Sequence, residues 1–161
     1  MSIGIGDQLP RATFKRLTAN GVEDVPSADV FGNRTVVLFA VPGAFTPTCS
    51  NSHLPEYVRS VGEFAARGVD SIACVAVNDP FVMAAWGKAH DVDDKILLLS
   101  DGNATFTKAI GLEFDASARG LGTRSRRYAM LVENGVVKAL RIEEVPGQVA
   151  VSGASDMLAL L

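Results

Sequence analysis

A cysteine and a threonine lie three residues apart in the segment Val41–Ser50. The apolar run before it, Thr35–Ala40, is typical of a β-strand, and the residues after it have helical periodicity, so we expect Cys49 in the first turn of a helix. There the helix dipole and free backbone N–H groups favour the thiolate, the nucleophilic form of cysteine. Thr46 takes the place of the first cysteine of a Cys-x-x-Cys motif. One thiol beside one hydroxyl suits attack on an oxidant better than dithiol exchange.

The surrounding sequence resembles the peroxiredoxins, and within them the subfamily of plant type II and mammalian type V enzymes. The family signature Pro-x-x-x-Thr/Ser-x-x-Cys is met by Pro42, Thr46 and Cys49, inside the longer string VPGAFTPTCSNSHLPEY. Two later blocks, Val77–Trp86 and Ser125–Met130, are also similar to that subfamily. The resemblance therefore extends over most of the chain and is more specific than one short motif.

The resemblance implies a role for four side chains. Cys49 would attack a hydroperoxide and become a sulfenic acid, the first product of thiol oxidation. Thr46 would hold and polarise the peroxide through its hydroxyl group. Arg127 would lie over the sulfur and neutralise its charge, because a guanidinium never titrates in proteins. Pro42, which has no N–H group, would shield the sulfur from water and from further oxidation.

Ordinary alternatives remain open for these residues. A lone cysteine is usually a small buried hydrophobe, although the motif around Cys49 argues against that here. Thr46 is also a common type of helix N-cap. Arg124 or Arg126 could replace Arg127, but only Arg127 directly precedes a predicted strand, while the other two lie in a polar loop.

The second cysteine, Cys74, lies among apolar residues of a predicted strand and is expected to be an inert core thiol. Some members of the family resolve the sulfenic acid with a cysteine near the C-terminus, but Val149–Gly153 contains none. The resemblance thus implies an external thiol as co-substrate, either glutathione with glutaredoxin or thioredoxin. It implies no bound cofactor and no metal.

His53 falls on the helix face that carries Cys49, four residues further on. It could tune the thiolate, help a reductant to dock, or make a structural hydrogen bond. Asp79, Phe81 and Trp86 are interpreted either as shaping a neighbouring surface or as simple packing. In this family such a surface often forms a homodimer contact.

Composition limits the classes of protein that fit. With 161 residues, 48% of them hydrophobic, the chain can bury one substantial core, and we predict one domain over residues 1–161. The formal net charge is −3, and no basic run suggests a nucleic-acid partner. We expect no membrane span and no secretory signal. The expected location is the cytoplasm, where both cysteines would remain thiols.

The pattern of apolar residues predicts an α/β protein in which strands and helices mostly alternate. Turns are predicted at Asn20-Gly21 and Asn134-Gly135. The predicted strands are Ala12–Leu17 at a sheet edge, Thr35–Val41, Ser71–Val77, Leu97–Leu99, Tyr128–Val132 and Val136–Leu140. The predicted helices are Ser27–Phe31, Ser50–Arg67, Pro80–His90, Ala104–Ile110 and Ser155–Leu161. The family resemblance implies a thioredoxin-like fold with peroxiredoxin extensions, in which helices flank a central mixed sheet.

The leading functional hypothesis is a thiol peroxidase for hydrogen peroxide and small alkyl hydroperoxides. A thiol-disulfide oxidoreductase would need a second cysteine at position 46, where the chain has Thr46. A non-enzymatic redox sensor or chaperone would share the reactive Cys49 but turn over slowly. Steady-state consumption of peroxide separates these possibilities.

Overall fold

Seven strands form the sheet at the centre of the molecule, which a computed structural model describes for residues 2–161. They are β1 (Thr13–Thr18), β2 (Gly21–Pro26), β3 (Thr35–Ala40), β4 (Ser71–Ala76), β5 (Leu97–Ser100), β8 (Tyr128–Glu133) and β9 (Val136–Ile142). Two shorter strands, β6 (Glu113–Asp115) and β7 (Thr123–Ser125), form a separate hairpin. The order in the large sheet is β2-β1-β5-β4-β3-β8-β9.

The sheet is mixed. β3, β4 and β5 are parallel, while β8 pairs antiparallel with β3, and β1 with β5. In β3 the five residues Val36–Ala40 have no solvent exposure, as expected of a parallel strand covered on both faces. The α/β class and the central mixed sheet flanked by helices are confirmed.

Six α-helices and two short turns cover the sheet. The helices are α1 (Ser27–Phe31), α2 (Leu54–Arg59), α3 (Val61–Ala66), α4 (Pro80–Ala89), α5 (Thr105–Ala109) and α6 (Ala154–Leu158). A π-helical turn occupies Cys49–His53 and a 3₁₀ turn occupies Ser117–Arg119. Within residues 2–161, no helix has the length and apolar character needed to cross a bilayer.

The single helix predicted from Ser50 to Arg67 is wrong in detail, because the segment contains a π-helical turn, α2 and α3. Pro55 has no N–H group to donate to the preceding turn. Just before it, the Leu54 N–H bonds to the Cys49 carbonyl, five residues back, which is the π-helical pattern. α2 then ends at Ser60, where the backbone leaves helical geometry.

The first hairpin also differs from the prediction. β1 is not an edge strand, since it lies between β2 and β5, and β2 forms the edge. The prediction missed β2 because its charged residues and terminal proline have low strand propensity. The second hairpin is confirmed: Asn134 and Gly135 both have positive φ, 47° and 78°, as a two-residue primed turn requires.

The two faces of the sheet carry separate apolar clusters. Alternate residues of β3 divide between them: Phe39, which stacks on Tyr57, belongs to one cluster, and Leu38 belongs to the other. Cys49 belongs to the first cluster. The helix that starts near Cys49 is therefore anchored by its apolar side against the centre of the sheet.

Candidate active site

The segment between β3 and α2 brings Cys49 to the carboxyl end of the parallel strands. The chain leaves β3 at Ala40 and becomes helical again at Pro47. Ala44 N–H donates to Asn78 Oδ1 over 2.9 Å, which ties this segment to the end of the neighbouring strand β4. Cys49 follows in the first helical turn and its side chain has no solvent exposure.

Two polar groups contact the sulfur of Cys49. Thr46 Oγ1 lies 2.9 Å from Sγ, and Arg127 Nη2 lies 3.0 Å from it. The Thr46 hydroxyl also lies 2.6 Å from the carbonyl oxygen of Gly43. Because a carbonyl only accepts, the Thr46 hydroxyl donates its single proton to the Gly43 carbonyl when the sulfur is a thiol. When the sulfur is a thiolate, the hydroxyl can donate to the sulfur instead.

Thr46 does not cap the following helix through its side chain. Its hydroxyl bonds to Gly43 and to Cys49, and within residues 2–161 no backbone N–H donates to it. The alternative that Thr46 serves only as an N-cap is therefore wrong. Its hydroxyl faces the sulfur instead.

Arg127 is almost fully buried, at 2% exposure, and all three of its nitrogen positions are used. Nε donates to the carbonyl of Pro146 over 2.9 Å, and Nη2 donates to Cys49. Nη1 lies 2.8 Å from Nδ1 of His53. Since a guanidinium can only donate, the His53 nitrogen must accept, and its other ring nitrogen carries the proton.

The buried His53 ring is neutral and holds Arg127 in place. The pKa of His53 is lowered to about 4, mainly by burial; the hydrogen bond to Ser152 opposes this change, and the adjacent Arg127 charge adds to it. Its Nε2–H donates to the carbonyl oxygen of Ser152 over 2.9 Å, and the Tyr57 hydroxyl donates to the same oxygen. His53 has no exposed surface on which a reductant could dock, so its contacts favour the structural interpretation.

Glu143 fixes the loop that carries Ser152. Its carboxylate accepts the backbone N–H groups of residues 150–152 and the Ser152 hydroxyl, the last over 2.6 Å. Burial raises the pKa of Glu143, but these hydrogen bonds outweigh burial and hold it below its ordinary value. We call the sequence of contacts Glu143, Ser152, His53, Arg127 and Cys49 the arginine relay.

The two neighbouring arginines point elsewhere. Arg124 Nε donates to the carbonyl of Leu121 over 2.9 Å. Arg126 Nη2 lies 3.3 Å from the carbonyl of Glu143. Of the three arginines in this segment, Arg127 is the one that the structure brings to the sulfur.

A pocket of about 320 Å³ opens beside the sulfur, and Pro42, Thr46 and Arg127 all line it. Pro42 is itself buried. Three of the four site residues predicted from the sequence thus line one space, and two of them, Thr46 and Arg127, contact the sulfur of the fourth, Cys49. A small peroxide entering this pocket would meet the hydroxyl and the guanidinium that contact the sulfur.

Cys74 lies on β4 and belongs to the same apolar cluster as Cys49. Burial raises the pKa of the Cys74 thiol well above its ordinary value, and the nearby Cys49 charge acts in the same direction. Burial thus favours the protonated form of Cys74. Within residues 2–161, no three His, Cys, Asp or Glu side chains are grouped as metal ligands.

Of the three residues interpreted either as surface or as packing residues, two lie at the surface and one is buried. The Asp79 carboxylate accepts the Val82 N–H over 2.8 Å and caps α4. Trp86 is buried and donates its ring N–H to Ser50 Oγ over 3.0 Å, which ties α4 to the π-helical turn. Phe81 is 60% exposed, and Asp79 is exposed as well.

Sequence reasoning missed the partners that hold the arginine in position. Glu143, Pro146 and Ser152 lie in an irregular loop with no recognisable motif. Ser152 contacts His53, which lies about a hundred positions earlier in the chain. No local sequence pattern predicts such a contact.

The comparison with known families decides the identity of the chain. The Redoxin family matches residues 5–158. The chain belongs to the redoxin family. It is 51% identical over 165 residues to chloroplastic peroxiredoxin-2E-2 of Oryza sativa subsp. japonica, a match that covers 99% of this chain and 73% of that protein. It is 45% identical to peroxiredoxin-2C of the same plant, covering 99% of this chain and 98% of that protein.

Solved structures agree with this assignment. The reduced Prx3 of Vibrio vulnificus in complex with hydrogen peroxide superposes with a TM-score of 0.93 at 51% identity, covering 98% of each chain. Peroxiredoxin 5 of Alvinella pompejana gives a TM-score of 0.86 at 39% identity, covering 98% of this chain and 96% of the other. The protein is thus a peroxiredoxin of the type II and type V subfamily, with the predicted thioredoxin-like fold. It is a thiol-dependent peroxidase, and peroxiredoxins work with thiol reductants and no cofactor.

The neutral, buried state of His53 predicts a specific loss of stability in acid. In the unfolded chain histidine titrates near 6.5, whereas His53 titrates near 4 in the folded protein. Between these pH values the unfolded state binds a proton that the folded state does not, so the stability from this group is lost as pH falls. This difference in pKa should lower the free energy of unfolding by roughly 3 kcal/mol between pH 7 and pH 4. Urea unfolding of wild type and His53→Gln at pH 7 and pH 4 measures it.

His90, the other histidine, supplies the matched control. Between pH 7 and pH 4, His90→Gln should lose as much free energy of unfolding as the wild type does. His53→Gln should lose about 3 kcal/mol less than the wild type over the same range. An identical loss in all three proteins would contradict the assignment of a neutral, buried His53.

Proposed function

We propose that Cys49 is the residue through which this peroxidase reduces hydrogen peroxide and small alkyl hydroperoxides. The observation that carries the proposal is the contact of a buried sulfur with a buried guanidinium, at 3.0 Å. A buried cation is costly unless it is paired. The other direct partners of Arg127 are a carbonyl and a neutral imidazole, so the thiolate of Cys49 supplies the negative charge.

The reaction is a two-electron transfer from sulfur to oxygen. The thiolate attacks one peroxide oxygen, a sulfur–oxygen bond forms, and the oxygen–oxygen bond breaks. Cys49 becomes a sulfenic acid, and the departing oxygen takes up a proton to leave as water or an alcohol. The Thr46 hydroxyl and the Arg127 N–H groups stabilise charge on the departing oxygen, as donors already aimed at the site.

Pro42 contributes by position rather than by bonding. It lines the pocket without an N–H group that would hold water near the sulfur. In our proposal this keeps the thiolate poorly solvated and limits the approach of a second peroxide to the sulfenic acid.

The sulfenic acid is returned to the thiol by an external reductant, which is either glutathione with glutaredoxin or thioredoxin. A first thiol displaces water from the sulfenic acid and forms a mixed disulfide with Cys49, and a second thiol releases Cys49 and forms the reductant's own disulfide. The absence of a cysteine in the sequence of Val149–Gly153 supports this route. So does the burial of Cys74.

We further propose that the enzyme is a homodimer that buries two exposed aromatic residues. Phe45 and Phe81 are 54% and 60% exposed, and they lie on segments joined by the hydrogen bond from Ala44 to Asn78. Phe45 also has a positive φ of 66°, a strained conformation for a large side chain that is typical of functional sites.

The dimer proposal predicts that Phe81→Glu yields a monomer, because a charge at the centre of a buried interface would be left unpaired. Sedimentation velocity of the wild type should give a dimer. Ile5→Glu changes another exposed hydrophobic residue in the same way and should stay dimeric. A monomeric wild type would exclude this interface.

For the reaction itself, Cys49→Ser should abolish peroxide reduction, because a serine hydroxyl is not ionised at neutral pH. Arg127→Gln should lower the second-order rate constant for hydrogen peroxide by about 10²–10³, the usual effect of removing one charge-stabilising donor. Stopped-flow oxidation of the reduced enzyme measures both.

Arg126→Gln is the control, since its guanidinium bonds to the Glu143 carbonyl and does not contact the sulfur. It should retain nearly the wild-type rate constant. Equal slowing by Arg126→Gln and Arg127→Gln, or more than trace activity of Cys49→Ser, would contradict the proposed site.

Cys74→Ser should leave turnover largely intact with each reductant, because Cys74 takes no part in the proposed cycle. Some stability should be lost through the buried hydroxyl. Turnover with glutathione and glutaredoxin, and separately with thioredoxin, also identifies the reductant. Peptide mapping after one equivalent of peroxide tests the alternative: a high-yield disulfide between Cys49 and Cys74 within one chain, with loss of turnover in Cys74→Ser, would make Cys74 the resolving residue.

A further inference from the structure

The pocket beside Cys49 is larger than hydrogen peroxide requires. Its volume is about 320 Å³. At roughly 30 Å³ for each water-sized group, it has room for about ten non-hydrogen atoms, whereas hydrogen peroxide has two. The remaining space is available to the organic part of a larger hydroperoxide.

The walls of that space are apolar and come from the hairpin of β6 and β7. This hairpin, together with the 3₁₀ turn inside it, contributes to the pocket without contacting the sulfur. The lining residues that it supplies are Phe114, Ala116, Arg119 and Leu121. An alkyl chain that left the peroxide end at Thr46 and Arg127 would pass between apolar side chains and approach Arg119.

Arg119 is an exposed cation with no acidic partner. Among residues 2–161 the single ion pair joins Lys15 and Asp24, and no Asp or Glu side chain lines this pocket. The pocket thus joins a reactive end, apolar walls and an uncompensated positive rim.

We propose that this rim is a carboxylate-binding subsite, so that the enzyme prefers organic hydroperoxides that have an apolar body and end in a carboxylate. The proposal rests on the proposed function of Cys49. The chemistry is the same as for other hydroperoxides: the oxygen–oxygen bond breaks, Cys49 becomes a sulfenic acid, and the product is the corresponding hydroxy acid. Arg119 acts as a specificity-determining residue.

A matched pair of substrates tests the proposal on the full chain. One is a tertiary alkyl hydroperoxide ending in a carboxylate, and the other is its methyl ester, which has the same reactive end but no charge. At low ionic strength, kcat/KM should be roughly two- to fivefold higher for the acid, the range expected of an exposed ion pair. The preference should shrink as salt is added, because salt screens exposed charges.

Variants at Arg119 test whether this residue causes the preference for the acid over the ester. Arg119→Gln should remove the preference by lowering kcat/KM for the acid alone, and Arg119→Lys should restore most of it. Arg141→Gln removes the same charge from an exposed residue of β9 that does not line the pocket, and should retain the preference. Turnover of hydrogen peroxide should be the same in all four proteins.

Two outcomes would overturn the proposal: equal kcat/KM for acid and ester in the wild type, or a preference that survives Arg119→Gln. A wild type that fails to reduce hydrogen peroxide would instead contradict the proposed function of Cys49. The two failures are therefore distinguishable.

Discussion

A positive charge buried beside a sulfur atom is the constraint on which the site depends. Arg127 is 2% exposed and Cys49 is fully buried, so water cannot compensate the charge of either group. Isolating a guanidinium in this way would cost several kcal/mol, whereas a thiolate at hydrogen-bond distance offsets much of that cost. In the proposed mechanism, the same contact that makes burial of the cation tolerable also activates the sulfur. Stability and reactivity would then have one origin in this protein.

The scaffold holds this contact by joining distant parts of the chain. The π-helical turn carries both Cys49 and His53, while β8 is preceded by Arg127 and the loop after β9 carries Ser152. The His53 ring accepts from the arginine and donates to the loop, and the bond from the arginine requires the neutral ring. Burial, which keeps that ring neutral, is thus part of how the arginine is positioned.

The sequence predicts the parts of the site that depend on local pattern. Cys49, Thr46 and Pro42 lie in one short segment between an apolar strand and an amphipathic helix, which suffices to place them together. The predicted strand that directly follows Arg127 favours it over Arg124, and the family resemblance implies its role. The role of His53 stayed open, because helical spacing puts a residue on a face but does not identify its partner across the molecule.

The features that the sequence did not predict depend on long-range contacts or on short elements. β6 and β7 have three residues each, too few for a periodic signal, yet their hairpin forms the pocket wall. The loop residues Glu143 and Ser152 have no motif, and Ser152 matters through its bond to His53, a residue far away in sequence. The π-helical turn depends on Pro55. The apolar periodicity of the segment continues past this residue and therefore indicates one unbroken helix.

The most direct test of this account is a double-mutant cycle on the rate constant for hydrogen peroxide, combining His53→Gln with Arg127→Gln. If His53 acts by positioning Arg127, His53→Gln slows the reaction in the wild type and has no further effect once Arg127 is replaced. If the two effects add, or if His53→Gln alone leaves the rate constant unchanged, the imidazole does not act through the arginine and the arginine relay is wrong.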